Sequence, residues 1–218
     1  MSDMKPRILF MGTPEFAVPS LELLVEKAWP VIGVVTQPDR PKGRGQRLVA
    51  SPVKEAAARH GLTVHQPEKV RAPEFLETFR TLAPDMVVLV AFGQILPKEI
   101  IDGPPLGCVN VHPSLLPKYR GAAPMNWALI RGEAKTGISI MRMDEGVDSG
   151  DILLQEETAI EPGETYDHLH DRLAVMGSQC LLRALEGLAD GSVVRVAQDH
   201  ALATLAPRIK KEDGMIRW

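Results

Sequence analysis

Arg7-Ile-Leu-Phe-Met11, the turn Gly12-Thr13-Pro14, a helical pattern from Ala17 to Ala28 and then Val31-Ile-Gly-Val-Val-Thr36 form the stretch that decides the fold. Two short apolar runs joined through one helix fit a β-α-β crossover, which lays its strands side by side and parallel. Further along, Met86-Val-Val-Leu-Val-Ala-Phe92 is apolar without alternation, the mark of a central parallel strand buried on both faces. Between the two, Ser51 before Pro52 opens a helix that runs to about His60, where Gly61 stops it. Leu62 to His65 reads as a short strand, and Pro73 opens a helix ending before Pro84. Later come a helix from about Met125 to Ile130, strands over Thr136 to Met143 and Ile152 to Ile160, a long amphipathic helix from Thr165 to about Leu188 and, as the pattern weakens, a β-like stretch from Val193 to Ala197. The alternation predicts an α/β protein built on a doubly wound, mostly parallel sheet.

At 218 residues the chain suits one large domain, or one domain with a tail. With 44% hydrophobic and 24% charged residues it has the composition of a globular protein, which argues against disorder or a fibre. A net charge of -3 argues against nucleic-acid binding over the whole surface, so a polyanion partner must be met by a local patch. No stretch approaches the roughly 18 apolar residues of a membrane span, and no signal-peptide pattern precedes the first strand, so a cytoplasmic protein without a membrane partner is expected. Cys108 and Cys180 both sit in apolar surroundings, as buried thiols rather than a disulfide or metal ligands.

Asn110-Val111-His112-Pro113-Ser114-Leu115-Leu116-Pro117 is the stretch that carries chemistry. Side chains two apart on a strand point the same way with Cα atoms roughly 6.5 Å apart, so one small carbonyl can touch both the amide and the imidazole. Pro113 keeps His112 extended up to the turn, and Cys108, Val109 and Val111 are expected to supply the apolar side. For an isolated Asn-x-His the alternative is two polar groups that touch only water. Gln37 to Arg47 holds four basic residues, two prolines and two glycines, and reads as a mobile basic loop: solvated surface, or a contact at the carboxyl end of a strand. In Gly93-Gln94-Ile95-Leu96-Pro97 the glycine lets a ligand approach the backbone and two aliphatics can wall a flat heterocycle, unless the turn simply packs them inward. Asp144 to Asp151 carries four carboxylates, but not at EF-hand spacing. His168 and His170 fall on different faces of the long helix, which argues against a shared metal. Neither G-x-G-x-x-G nor a P-loop is present.

Asn110 to Pro117, followed by Tyr119-Arg120-Gly121 and by Asp144-Glu-Gly-Val-Asp148-Ser-Gly-Asp151, resembles the folate-dependent formyltransferases. Within them, Gly12-Thr-Pro-Glu-Phe16 and Thr36 to Gly45 resemble the methionyl-tRNA formyltransferase family. The resemblance implies a Rossmann-like formyltransferase fold and transfer of a formyl group from 10-formyltetrahydrofolate, a substrate and not a resident cofactor, to the α-amine of initiator methionyl-tRNA. It implies Asn110, His112 and Asp148 as the catalytic residues, with no metal. Folate would meet Phe92, Gly93, Gln94, Ile95 and Leu96 on one side and Asp144, Glu145, Gly146 and Val147 on the other, with Ser114, Leu115, Leu116 and Pro117 at its border. Arg40, Lys42 and Arg44, with Arg208 and Lys211 in the tail, would meet tRNA. The family continues into a small β-barrel after the catalytic part and usually has Lys at the place of Arg208 and Asp at that of Arg217. Residues 1–190 are therefore expected as the catalytic domain and 191–218 as a linker toward a barrel absent from this chain, which would act as a monomer.

Formyl transfer between two nitrogens passes through a tetrahedral oxyanion, which needs donors aimed at the developing charge. An amide is no base at neutral pH, so Asn110 is expected to stabilise and His112, with Asp148, to move the proton. Asp148 either fixes the imidazole tautomer or pairs with the imidazolium. A glycinamide ribonucleotide formyltransferase or a formyltetrahydrofolate hydrolase would use the same three residues, and the basic loop speaks against both. A noncatalytic tRNA-binding module would not need them.

Overall fold

The structure, a computed structural model, describes residues 5–42 and 47–215. In chain order these form β1 (Ile8–Gly12), α1 (Val18–Glu26), β2 (Val31–Val35), β3 (Arg40–Lys42), β4 (Arg47–Val49), α2 (Pro52–Arg59), β5 (Val64–His65), α3 (Pro73–Leu82) and β6 (Met86–Val90). They continue with α4 (Lys98–Asp102), β7 (Cys108–His112), α5 (Pro124–Ile130), β8 (Lys135–Arg142), β9 (Ile152–Ala159) and α6 (Tyr166–Asp190). Seven strands make one sheet in the order β5-β2-β1-β6-β7-β8-β9. The first five are parallel; β8 and β9 are antiparallel. The chain winds outward from β1 to β2 and β5, then returns to the other side of β1 with β6. Ligands in such sheets bind beyond the carboxyl ends of the strands where the order reverses, here between β1 and β6.

Alternation along each strand feeds a core on both faces of the sheet. Ile8, Phe10, Val88, Val109 and Val111 pack with Leu21 and Leu24 of α1 and Leu173 and Leu181 of α6. Leu9, Met11, Val87, Leu89 and Cys108 pack with Phe75 and Phe79 of α3 and Ile100 of α4. A fully buried side chain such as Phe10 is worth about 1.5–3 kcal/mol of transfer free energy. Cys108 thus shares its face with Asn110 and His112, not with Val109 and Val111, because strand parity and not polarity decides the side. Burial pushes the Cys108 thiol far above its usual range, which leaves it an inert core residue.

Two segments differ from expectation. Gln37 to Arg47 is not all loop: β3 and β4 pair antiparallel, Arg40 opposite Val49 and Lys42 opposite Arg47. A ladder is made by backbone groups, so it forms here without the apolar alternation that would have announced it. Residues 43–46, Arg44 among them, lie outside the described residues, as does Arg217. The expected strand at Val193 to Ala197 reduces to a single bridge, Val196 to Ile152 of β9. Ser51 caps α2 as its position before Pro52 foretold, its Oγ accepting from Lys54 N–H at 3.0 Å. Among the described residues no helix is long and apolar enough to cross a membrane, and no three His, Cys, Asp or Glu side chains are grouped to hold a metal ion.

Candidate active site

Asn110 and His112 sit side by side at the carboxyl end of β7, only 7% and 4% exposed. Across the sheet Asn110 lies opposite Leu89 of β6, and His112 opposite Ser139 of β8. A cavity of about 780 Å³ opens over these strand ends. Its lining includes Pro14 to Phe16 after β1, Ala91 to Gly93 after β6, Asn110 and His112, Gly121 to Asn126, and Asp148.

The hydrogen bonds fix the state of each group. His112 Nε2 lies 2.9 Å from the Tyr119 carbonyl oxygen. A carbonyl only accepts, so Nε2 carries the hydrogen and a neutral ring leaves Nδ1 for proton exchange. Nδ1 faces Asp148 Oδ2 at 3.7 Å, close enough to attract an imidazolium but too far for a hydrogen bond in this geometry. Asp148 Oδ2 accepts from Gly121 N–H at 2.8 Å, and its Oδ1 accepts from Asn110 Nδ2 at 3.4 Å. A carboxylate can only accept, so Asn110 turns its NH₂ toward Asp148 and the cavity. The sequence-predicted trio is thus brought together, with an amide donor and an imidazole nitrogen on one wall.

Backbone conformation around the cavity is unusual for L residues. Ala91, Tyr119 and Asp148 have φ of 46°, 62° and 47°. Left-handed conformations cost roughly 1–3 kcal/mol each and persist only where neighbours hold them. For Tyr119 and Asp148 the neighbours come from 198–206, within the segment expected to be a linker, while beside Ala91 the Phe92 carbonyl is held by Thr13 and Gln37. Arg120 N–H donates to the Thr204 carbonyl, Ala206 N–H to the Arg120 carbonyl and Ala123 N–H to the Ala206 carbonyl, so 204–206 clamps the strap 119–123 like a short parallel ladder. Thr204 Oγ1 also accepts from Tyr119 N–H, and Trp127 Nε1 donates to the Pro207 carbonyl. Gly121 sits at φ 115°, where a Cβ would meet the Ala206 carbonyl oxygen at 2.9 Å. Gly121→Ala is expected to cost about 1–3 kcal/mol, read as a lower midpoint of chemical denaturation. An unchanged midpoint would show that the strap is not clamped.

The folate set is spread more widely than the resemblance implied. Phe92 and Gly93 line the main cavity with Asp148, and Thr13 Oγ1 and Gln37 Nε2 both donate to the Phe92 carbonyl, at 2.9 and 3.2 Å. Gln94 turns the other way, accepting from Val70 N–H at 2.9 Å. The turn splits its aliphatic pair: Leu96 joins the core while Ile95 is 94% exposed. Asp144 accepts from Gly146 N–H and from Ser149 Oγ, and Glu145 pairs with Lys98 of α4. Asp144, Glu145 and Gly146 line a separate cavity of about 640 Å³, and Val147 is exposed. Ser114 and Leu116 are buried: Ser114 Oγ donates to the Lys118 carbonyl, Leu116 N–H to Ser139 Oγ. Leu115 lines a small cavity with Tyr119 and Glu133, and Pro117 gives its carbonyl to Thr204 N–H. Of the basic set, Arg40 is exposed in β3, 3.5 Å from Glu68, Lys42 ends the same strand, and Arg208 and Lys211 are exposed in the tail.

Several wall residues were not among those expected for the site. Phe16, Tyr166 and His170 form an aromatic edge of the cavity, His170 meeting Phe16 edge-on at 5.5 Å and Tyr166 at 5.7 Å. His170 Nδ1 lies 2.9 Å from Asp171 Oδ1, and the ring forms part of the wall.

Comparison with known proteins identifies the family. The family model described as formyl transferase matches residues 4–185. The methionyl-tRNA formyltransferase of Syntrophus aciditrophicus is 59% identical over 214 residues, 98% of this chain and 69% of that protein. The methionyl-tRNA formyltransferase of Geotalea uraniireducens is 56% identical, over 97% of this chain and 68% of that one. In fold, the chain is similar to glycinamide ribonucleotide transformylase 1 from Symbiobacterium toebii, with a TM-score of 0.75 at 20% identity over 91% of this chain and 96% of that one. It also matches WlaRD, a sugar 3N-formyl transferase solved with dTDP and 5-N-formyl-THF, at TM-score 0.70 and 19% identity over 94% of this chain and 70% of that one. With the family model spanning most of the chain and identity above one half over nearly all of it, the chain belongs to the methionyl-tRNA formyltransferases, within the formyl transferase family.

Proposed function

We propose that this formyltransferase moves the formyl group of 10-formyltetrahydrofolate to the α-amine of initiator methionyl-tRNA by direct attack, with Asn110, His112 and Asp148 as the catalytic residues. The observation that carries the reading is the placement of His112 Nδ1, a ring nitrogen with no hydrogen bond among the described residues, beside the Asn110 amide and Asp148 at the floor of the cavity. An α-amine has a pKa of about 7.7–8.0, so on the order of a tenth is already neutral at pH 7. Its nitrogen attacks the formyl carbon, and the carbonyl oxygen becomes an oxyanion held by an Asn110 N–H and, once the ring has taken up a proton, by the His112 Nδ1–H. The imidazole takes the proton released from the attacking nitrogen and returns it to N10 as the bond from the formyl carbon to N10 breaks. No covalent enzyme intermediate is needed. The folate lies across Phe92, Gly93 and Asp148.

For the acceptor, the reading rests on family membership and on the hairpin β3-β4, three residues before which Gln37 is tied to the Phe92 carbonyl at the cavity rim. Arg40, Lys42 and Arg44, with Arg208 and Lys211, would contact phosphates. The test is to supply 10-formyltetrahydrofolate with charged initiator tRNA, with glycinamide ribonucleotide or with water alone. Formylation of the tRNA is expected, and formyl transfer only to one of the others would replace this reading.

Replacing Arg44 isolates the tRNA contribution. Each phosphate contact releases about one counterion, so Arg44→Ala should lower kcat/KM for charged tRNA about tenfold near 0.1 M salt and make the slope of log K against log salt shallower by about one unit. Turnover of a small amine acceptor should stay within twofold. Equal salt slopes for the two proteins would remove Arg44 from the tRNA contact.

A further inference from the structure

Gln198 is buried, 7% exposed, in a segment with neither helical nor strand periodicity, yet its carboxamide is fully used. Its Oε1 accepts twice from the Arg120 guanidinium, from Nε at 3.1 Å and Nη2 at 2.7 Å. Its Nε2 donates twice, to the Asp148 carbonyl at 3.0 Å and the Gly150 carbonyl at 2.7 Å. One side chain therefore joins the two backbone pieces that orient the trio. Arg120 lies between Tyr119, whose carbonyl takes His112 Nε2, and Gly121, whose N–H holds the Asp148 carboxylate. On the other side, Asp148 is held in its left-handed conformation by a bond to its own carbonyl. The Val196 to Ile152 bridge on one flank and the 204–206 clamp on the other bring the amide to this point.

We infer that Gln198 is a positioning residue for formyl transfer, setting the distance of Asp148 from His112 and Asn110, and that residues 196–207 are part of the catalytic unit rather than a linker. The inference rests on the assignment of the trio made above. The physical ground is that a reacting group displaced by about 1 Å loses on the order of 10²-fold in rate even when the substitution is remote from the chemistry. With Nε2 removed, nothing else described holds the Asp148 and Gly150 carbonyls together, while the carboxylate keeps only the Gly121 N–H and the long Asn110 contact.

Gln198→Glu is the informative substitution. It keeps the shape and gives Arg120 a better acceptor, so folding is supported, but it turns an oxygen toward two carbonyl oxygens that had received N–H bonds. Expected is a kcat lower by about 10–10² with KM for folate and tRNA within twofold. In an Asp148→Ala background the same change should cost less than about twofold. The His112 ring ¹⁵N shifts, which report the tautomer in the enzyme without substrate, should also move in Gln198→Glu. Three results overturn the inference: wild-type kcat in Gln198→Glu, the same fold-loss in both backgrounds, or a wild-type ¹⁵N signature. If His112→Ala instead retains wild-type turnover, it is the trio that falls; the ¹⁵N signature then still decides whether Gln198 positions the ring. Gln198→Ala serves as the second variant, with the same expected split between kcat and KM.

Discussion

Asn110→Ala is expected to lower kcat by about 10²–10³ while folate affinity stays within twofold, the loss that follows removal of one oxyanion donor. His112→Ala should cost about 10²–10⁴, since it removes the nitrogen that moves the proton. Neither change should unfold the protein. Asn110 gives up only a long bond to Asp148, at 3.4 Å, and His112 gives up one to a loop carbonyl. Asn110→Asp separates charge from shape: it is nearly isosteric, but it sets a second carboxylate against Asp148 and a negative charge against the developing oxyanion. Its loss should equal or exceed that of Asn110→Ala. Single-turnover rates with saturating folate, alongside melting temperatures, decide the matter. Near-normal turnover in folded Asn110→Ala or His112→Ala would end the oxyanion assignment.

Much of this was legible because the chemistry of the site is local. Asn110 and His112 are two apart on one strand, and the β-α-β pattern from Arg7 to Thr36 set the sheet on which β7 must lie. What stayed hidden was non-local or made by backbone. The hairpin partner of Arg40–Lys42 is chosen by main-chain pairing, which leaves no mark in a sequence of arginines, prolines and glycines. The roles of Tyr119 and Gly121 are a carbonyl and an N–H, groups that every residue of a loop possesses. Gln198 is 50 residues from Asp148 along the chain, and no periodicity marks an extended segment held by single bonds. For the folate set, the resemblance named residues without saying which wall each would face. Ile95 and Leu96 are adjacent, yet one is fully exposed and the other core. Polarity also misjudged Cys108, which strand parity places beside Asn110 and His112.

Asp148→Ala should cost about 10²–10⁴ in kcat on its own, but less than about tenfold on top of His112→Ala. The geometry argues for this coupling, because Asp148 reaches the reacting centre through its neighbours: Oδ2 stands 3.7 Å from His112 Nδ1, and Oδ1 holds the Asn110 amide. With the imidazole gone, the first of those duties has nothing to act on. The second remains, so a cycle with Asn110 should also show coupling, smaller than that with His112. Asp148→Asn sharpens the test. Its single oxygen can accept from Gly121 N–H or from Asn110 Nδ2, not both, and the nitrogen placed at the other position faces a donor. Because the Gly121 bond is the shorter, at 2.8 Å against 3.4 Å, the oxygen is expected there, with the Asn110 amide turned away from the oxyanion position. Asp148→Asn should then lose nearly as much as Asp148→Ala despite keeping shape and volume. Fully additive losses in log kcat for Asp148 and His112 would mean that the carboxylate touches the substrate itself, and Asp148→Asn at wild-type rate would mean that neither its charge nor its second acceptor takes part.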